Sequence, residues 1–144
     1  MKIFFGCDHA GYEMKLELIK LAEKNFEIAD LGCGGEPVDY PDIAAAVCEK
    51  VLSNAGSFGV LVCGTGIGMS IAANKFPGIR AAVCSDTFSA KYTRLHNDAN
   101  ILCLGARVIG TGSAAEVFEV FAGTEFEGGR HAARVEKISL LEKK

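Results

Sequence analysis

The run Phe58-Gly-Val-Leu-Val-Cys-Gly-Thr-Gly-Ile-Gly68 couples a nucleophile to a glycine-rich turn. Its apolar half predicts a buried strand ending on Cys63. Gly64, Gly66 and Gly68 then alternate with Thr65 and Ile67, and Ser70–Lys75 predicts a short helix beyond them. Backbone amides at a helix start favour anions, a thiolate included. This spacing suits a proton-abstracting thiol beside a cradle for developing negative charge. The competing reading is a packed strand-end cysteine above a tight turn, the commoner fate of an arbitrary cysteine.

Other groups able to move or hold protons fall at regular places along the chain. In an open α/β sheet, ligands bind beyond the carboxyl ends of the strands. Those positions carry Asp8 and His9, then Asp39 and Tyr40, then Cys63–Gly68, then Ser85 and Asp86, then Gly105–Arg107. His96 and Asn97 lie in the segment leading into the last strand, and the whole set is expected to converge on one edge. Only His9, His96 and His131 are histidines, and a lone histidine is more often structural than catalytic. Arg130 and Arg134 are four apart and share a helix face. That face is either a solvated basic surface or a clamp for phosphate, whose oxygens match guanidinium forks. No His/Cys/Asp set has metal-ligand spacing, so no metal is expected.

A nucleotide-binding reading competes for the glycine loop. Gly64-x-Gly66-x-Gly68 is not the dinucleotide fingerprint, yet Asp86 stands 20 residues beyond Gly66 and after the next strand, as such a unit requires. Its place in the third strand–helix unit and the lack of length for a substrate domain weigh against it.

These groups need a scaffold, and the chain alternates strand-like with helix-like segments. Strands are expected at Lys2–Cys7, Phe26–Leu31, Phe58–Cys63, Arg80–Cys84 and Asn100–Leu104. Helices are expected at Tyr12–Lys24, from Pro41 through Asn54, after Gly68, around Phe88–Leu95, and at Ser113–Ala122. Strands separated by helices define βαβ units and a parallel sheet covered on both faces. A last helix opens at Glu127-Gly-Gly-Arg-His-Ala-Ala-Arg134, with Val135, Ile138 and Leu141 as an apolar stripe. Because it follows a Gly-Gly hinge, it is expected to pack on a second copy of the chain.

The bulk properties narrow the class. With 144 residues and 49% hydrophobic content, the chain is expected to form one domain over residues 1–144 with a substantial core. A net charge of −3 gives no sign of a nucleic-acid partner. The first residues turn polar too soon for a signal peptide, and no apolar run approaches a membrane span. Six cysteines without a Cys-x-x-Cys pair suit reduced thiols and a cytoplasmic location.

Taken together, Gly6-Cys-Asp-His-Ala-Gly11, Val38-Asp-Tyr-Pro41, Cys63–Gly68, Ser70–Lys75, His96-Asn-Asp98, Gly105-Ala-Arg-Val-Ile-Gly110, Glu127-Gly-Gly-Arg-His131 and Arg134-Val135 run the length of the chain. In that order they resemble the B-type ribose-5-phosphate isomerases, within the family that also holds galactose-6-phosphate isomerase subunits. The resemblance implies an α/β fold: a Rossmann-like three-layer α/β/α domain with a five-stranded parallel sheet. It implies an aldose–ketose isomerase without metal or cofactor, working as a homo-oligomer (dimer or tetramer) whose site is shared between subunits. By the same resemblance Cys63 is the base moving a proton between C1 and C2, and Thr65 with the amides of Gly64, Gly66 and Gly68 stabilises the enediolate oxygen. His96, with Asp8 nearby, helps to open the furanose ring. His9, Arg107, Arg130 and Arg134 hold the phosphate, and Tyr40 and Asn97 line the sugar site. A second branch of the family places a glutamate base just after the glycine loop; here that position is Met69, which implies the cysteine branch. Ribose 5-phosphate is the expected substrate. Allose or galactose 6-phosphate, or a non-catalytic sugar-phosphate or nucleotide-binding module, are the alternatives.

Overall fold

The computed structural model describes Met1–Lys144. Its elements are β1 (Lys2–Cys7), α1 (Tyr12–Ala22), β2 (Glu27–Asp30), α2 (Tyr40–Leu52), β3 (Phe58–Cys63), α3 (Ile67–Ala73), β4 (Ala81–Val83), α4 (Thr87–Asn97), β5 (Ile101–Gly105), α5 (Thr111–Gly123) and α6 (Arg130–Leu141). All five strands are parallel, in the order β2-β1-β3-β5-β4. The uninterrupted apolar runs become β3 and β5, every residue of which is buried, because helices cover both faces of the sheet. The edge strands β2 and β4 are shorter and half exposed.

Alternation along the strands divides the core in two. Phe5, Phe58, Val60 and Val62 face one layer with Leu18 of α1, Ala90 of α4 and Phe118 and Phe121 of α5. Leu61 and Cys63 face the other, with Val47 of α2 and Met69 of α3. Aromatic rings dominate the first layer, Phe58 lying 5.5 Å from Phe121 and Phe5 6.0 Å from Phe118. Lys15, fully buried on α1, binds Asp30 Oδ1 and the Cys33 carbonyl oxygen at 2.7 Å each. That pair ties α1 to the long loop after β2, which delivers Tyr40.

Several boundaries differ from expectation. The helix after the glycine loop starts at Ile67, so Gly68 lies inside it. The strands expected at Phe26–Leu31 and Arg80–Cys84 are trimmed at both ends, since edge strands have a partner on one side only. The last helix begins at Arg130, after Gly128 and Gly129 at φ +69° and +55°. It packs on α4, and Glu142 Oε1 beyond its end accepts from the Gly78 N–H at 2.9 Å. Within one chain Ile138 is 42% and Leu141 61% exposed, so part of the expected stripe has no cover. No helix is long and apolar enough to cross a membrane.

Candidate active site

The chain runs from β1 out to β2 and returns past β1 to β3, so the order in which strands are added reverses between β1 and β3. A crevice opens beyond the carboxyl ends of such a pair, here at Cys7 and Cys63. Asp8 caps the turn after β1: its Oδ1 accepts from the N–H of Ala10 at 3.0 Å and of Gly11 at 3.2 Å. Its own N–H donates to the Val62 carbonyl at 3.1 Å, which locks β1 to β3 one residue short of Cys63. His9, next in the turn, is exposed.

Cys63 is 5% exposed at the end of β3. Its Sγ accepts from the Gly66 N–H at 3.1 Å, and the Ile67 N–H donates to Thr65 Oγ1 at 3.2 Å. Part of the expected anion cradle is therefore turned onto the thiol itself. Gly66 holds this curl at φ +79°, with room for no side chain: a Cβ would lie 2.9 Å from the Leu104 carbonyl carbon. At Gly68 a Cβ would meet the Tyr40 ring at 2.7 Å, so the ring lies against the start of α3. Arg107 follows β5, its N–H donating to the Gly64 carbonyl at 3.0 Å and its guanidinium folding back over Gly64. Asp8, His9, Tyr40, Cys63–Gly68 and Arg107 thus share one edge.

His96, Asn97, Arg130 and Arg134 do not. The sequence expectation gathers His96 and Asn97 with the strand-end groups on one edge, and the structure corrects it. A helix that follows a parallel strand runs back across the sheet, so the segment leading into β5 sits at the amino edge. There Arg80 Nε, just before β4, donates to the carbonyls of Asn97 at 3.1 Å and Asp98 at 2.9 Å, while the Gly59 N–H donates to Asn100 O at 2.9 Å. From Gly59 to Cys63 the strand spans about 13 Å. The Glu127 N–H donates to Leu95 O at 3.1 Å, which pins the start of the last helix to the same edge.

His131 joins this second group and is absent from the expected site. Its ring stacks on His96, centroids 4.0 Å apart and planes at 11°. Glu127 Oε2 lies 3.7 Å from His96 Nε2 and 3.8 Å from His131 Nε2. The sequence signal was present: Glu127 and His131 are four apart, between glycines and arginines. Two imidazoles and a carboxylate within 4.8 Å are donors that suit zinc-like ions. Parallel rings, however, send their lone pairs side by side rather than to one point, and Arg130 Nε approaches His131 Nε2 at 3.5 Å. A cavity of about 680 Å³ lies between α6, α4 and β4; of the expected site residues only Asn97 borders it.

An open parallel α/β domain with a thiol, amides and a carboxylate at its switch point defines a class: small-molecule sites at the carboxyl edge of a doubly wound sheet. Residues 3–138 match the model of the Ribose/Galactose Isomerase family, and the chain belongs to that family. It is 46% identical to ribose-5-phosphate isomerase B of Escherichia coli, across 99% of this chain and 97% of that one. Among solved structures, ribose-5-phosphate isomerase B of Clostridium thermocellum is 50% identical with a TM-score of 0.96, covering 99% of this chain and 98% of the other. Type B ribose 5-phosphate isomerase of Trypanosoma cruzi is 43% identical with a TM-score of 0.95, over 99% of both chains.

Proposed function

We propose that the protein interconverts ribose 5-phosphate and ribulose 5-phosphate through an enediolate, in a site that two copies of the chain complete together. One observation carries this: a base with loop amides stands on one edge, and an imidazole with paired arginines stands on the other. Neither half suffices for a phosphorylated sugar. Placed opposite each other across a subunit contact, they supply every group the reaction needs. Ile67 and Ile71, one turn apart on α3, and Phe88 at the start of α4 are 55%, 58% and 70% exposed, and such apolar surface suits a second copy.

In this reading Arg130 and Arg134 grip the phosphate with His9 and Arg107 from the facing copy. Remote binding energy of that kind orients the reacting end. His96 donates its proton to the ring oxygen as the bond from C1 to that oxygen breaks, and the furanose opens. The anomeric hydroxyl gives its proton to solvent, with Asp8 standing close in the facing copy, and solvent then returns a proton to His96. Cys63 Sγ then takes the C2 proton; the C2–H electrons form the C1–C2 double bond and the aldehyde oxygen becomes the enediolate oxygen. Thr65 and the loop amides stabilise that charge. The proton returns from sulfur to C1, the O2 proton passes to O1, and the ketose forms without net oxidation or loss of atoms. Tyr40 and Asn97 line the sugar. Six unpaired cysteines suit a reducing, cytoplasmic setting.

The test is turnover of purified protein on ribose 5-phosphate in heavy water, with allose 6-phosphate and galactose 6-phosphate alongside. Ribulose 5-phosphate carrying deuterium at C1 supports the reading. Activity on a hexose phosphate alone would keep the chemistry and replace the substrate. Binding without turnover or exchange would leave a sugar-phosphate-binding module.

A further inference from the structure

His131 is the buried member of the amino-edge cluster, 5% exposed on the first turn of α6, and the steps above give it no task. It lies face to face with His96, and Tyr92, one turn earlier on α4, meets His96 edge-on at 4.9 Å. Both imidazoles turn Nε2 to the same oxygen of Glu127. Arg130 Nε faces His131 Nε2 as a donor, which requires a lone pair there and puts the His131 proton on Nδ1.

We infer that His131 is a positioning residue for His96: its ring fixes the plane of the His96 imidazole, and their shared carboxylate fixes which nitrogen of His96 faces Glu127. This rests on His96 being the ring-opening group. His131 itself touches no substrate. Burial above all, then the neighbouring His96 and Arg130, lowers the His131 pKa from its ordinary value, which favours a neutral ring beside His96. The titratable and charged groups facing the pair are Tyr92 on α4, Glu127 before α6, and Arg130 and Arg134 on α6.

The experiment compares H131A, which removes the ring, with H131F, which keeps a flat one, and with E127Q and H96N in the full-length protein. Two reactions are followed: turnover of ribose 5-phosphate, and solvent deuterium exchange at C1 of ribulose 5-phosphate. The ketose has no furanose to open, because its C5 oxygen carries the phosphate, so exchange reports the Cys63 step alone. H131A is expected to lower kcat on ribose 5-phosphate about tenfold while leaving exchange within about twofold, and H131F to recover most of that loss. A folded H131A with unchanged kcat overturns the inference, as does an equal loss in both reactions, which marks a structural role. Should H131A fold poorly, E127Q at an exposed residue decides alone: turnover equal to the parent's overturns it. If H96N turns over ribose 5-phosphate normally, the role of His96 falls instead, and His131 has nothing to position.

Discussion

The N–H of Gly66 donates to the sulfur of Cys63 across 3.1 Å. A backbone dipole three residues on thus addresses the one group proposed to remove a carbon-bound proton. Cys63→Ala removes the base and leaves that N–H without its acceptor. Turnover is expected to fall about a thousandfold, with stability lowered by only about 1 kcal/mol. Kinetics and a urea melt on the same sample check this; activity within tenfold of the parent would remove Cys63 from the mechanism.

Gly66→Ala and Gly68→Ala separate backbone strain from steric contact with a side chain. At Gly66 the added Cβ meets the backbone of Leu104 and Gly105 at a positive φ, and neither can move aside. A loss of about 1–3 kcal/mol or more is expected, together with activity. At Gly68 the obstacle is Tyr40, 41% exposed, whose ring swings out at smaller cost. That variant is expected to melt close to the parent while KM rises. Equal melting losses at the two positions would refute the distinction.

Alkaline stability follows from the buried thiols. From an ordinary 9.0, burial pushes Cys7 and Cys48 up to about 12 and Cys84 to about 11, and holds Cys103 well above the usual range. The unfolded chain ionises these thiols first, near pH 9. The stability they contribute is therefore complete below pH 9 and is lost as pH rises towards 11–12. Urea midpoints are expected to fall progressively from pH 9 to pH 11, less steeply in Cys48→Ala. A flat profile would contradict the assignment.

Arg80 fixes the end of α4 through two carbonyls and the Asp98 carboxylate. Arg80→Ala frees the turn that carries His96 and Asn97, and is expected to cost about 1–3 kcal/mol. It also lowers kcat/KM on ribose 5-phosphate. Chemical denaturation and steady-state kinetics read the two effects; a loss of neither would detach the Asn97 turn from the site.

The strands were legible because their apolar runs are short, uninterrupted and bounded by glycine or polar turns, as in Phe58–Cys63. Cys63, Thr65 and Arg107 follow strands and were placed on the correct edge by that fact alone. His96 and Asn97 precede a strand, and a parallel sheet sends such residues to the opposite edge. Their separation from Cys63 follows from strand direction, which the alternating pattern already implied. The strand order, with β5 inserted between β3 and β4, was not legible, since it depends on long-range pairing. The start of α3 was placed late because Gly68 reads as loop, whereas it sits in a helix to admit Tyr40. His131 stands out in sequence between two arginines but takes no role from it, because its meaning lies in contact with His96, 35 residues earlier in the chain.

The proposed division of the site between two copies has a direct test in mixed oligomers. One parent carries Cys63→Ala and keeps the amino-edge half; the other carries His96→Asn with Arg130→Ala and keeps Cys63. Each alone is expected to be nearly inactive on ribose 5-phosphate. Unfolding and refolding them together at equal amounts makes about half the dimers mixed, each with one intact composite site, so activity is expected to return to about a quarter of the parent value. If every site lay within one chain, no mixture could contain an intact one. Activity remaining at the level of the separate variants, with mixed dimers verified by mass, would contradict the shared site.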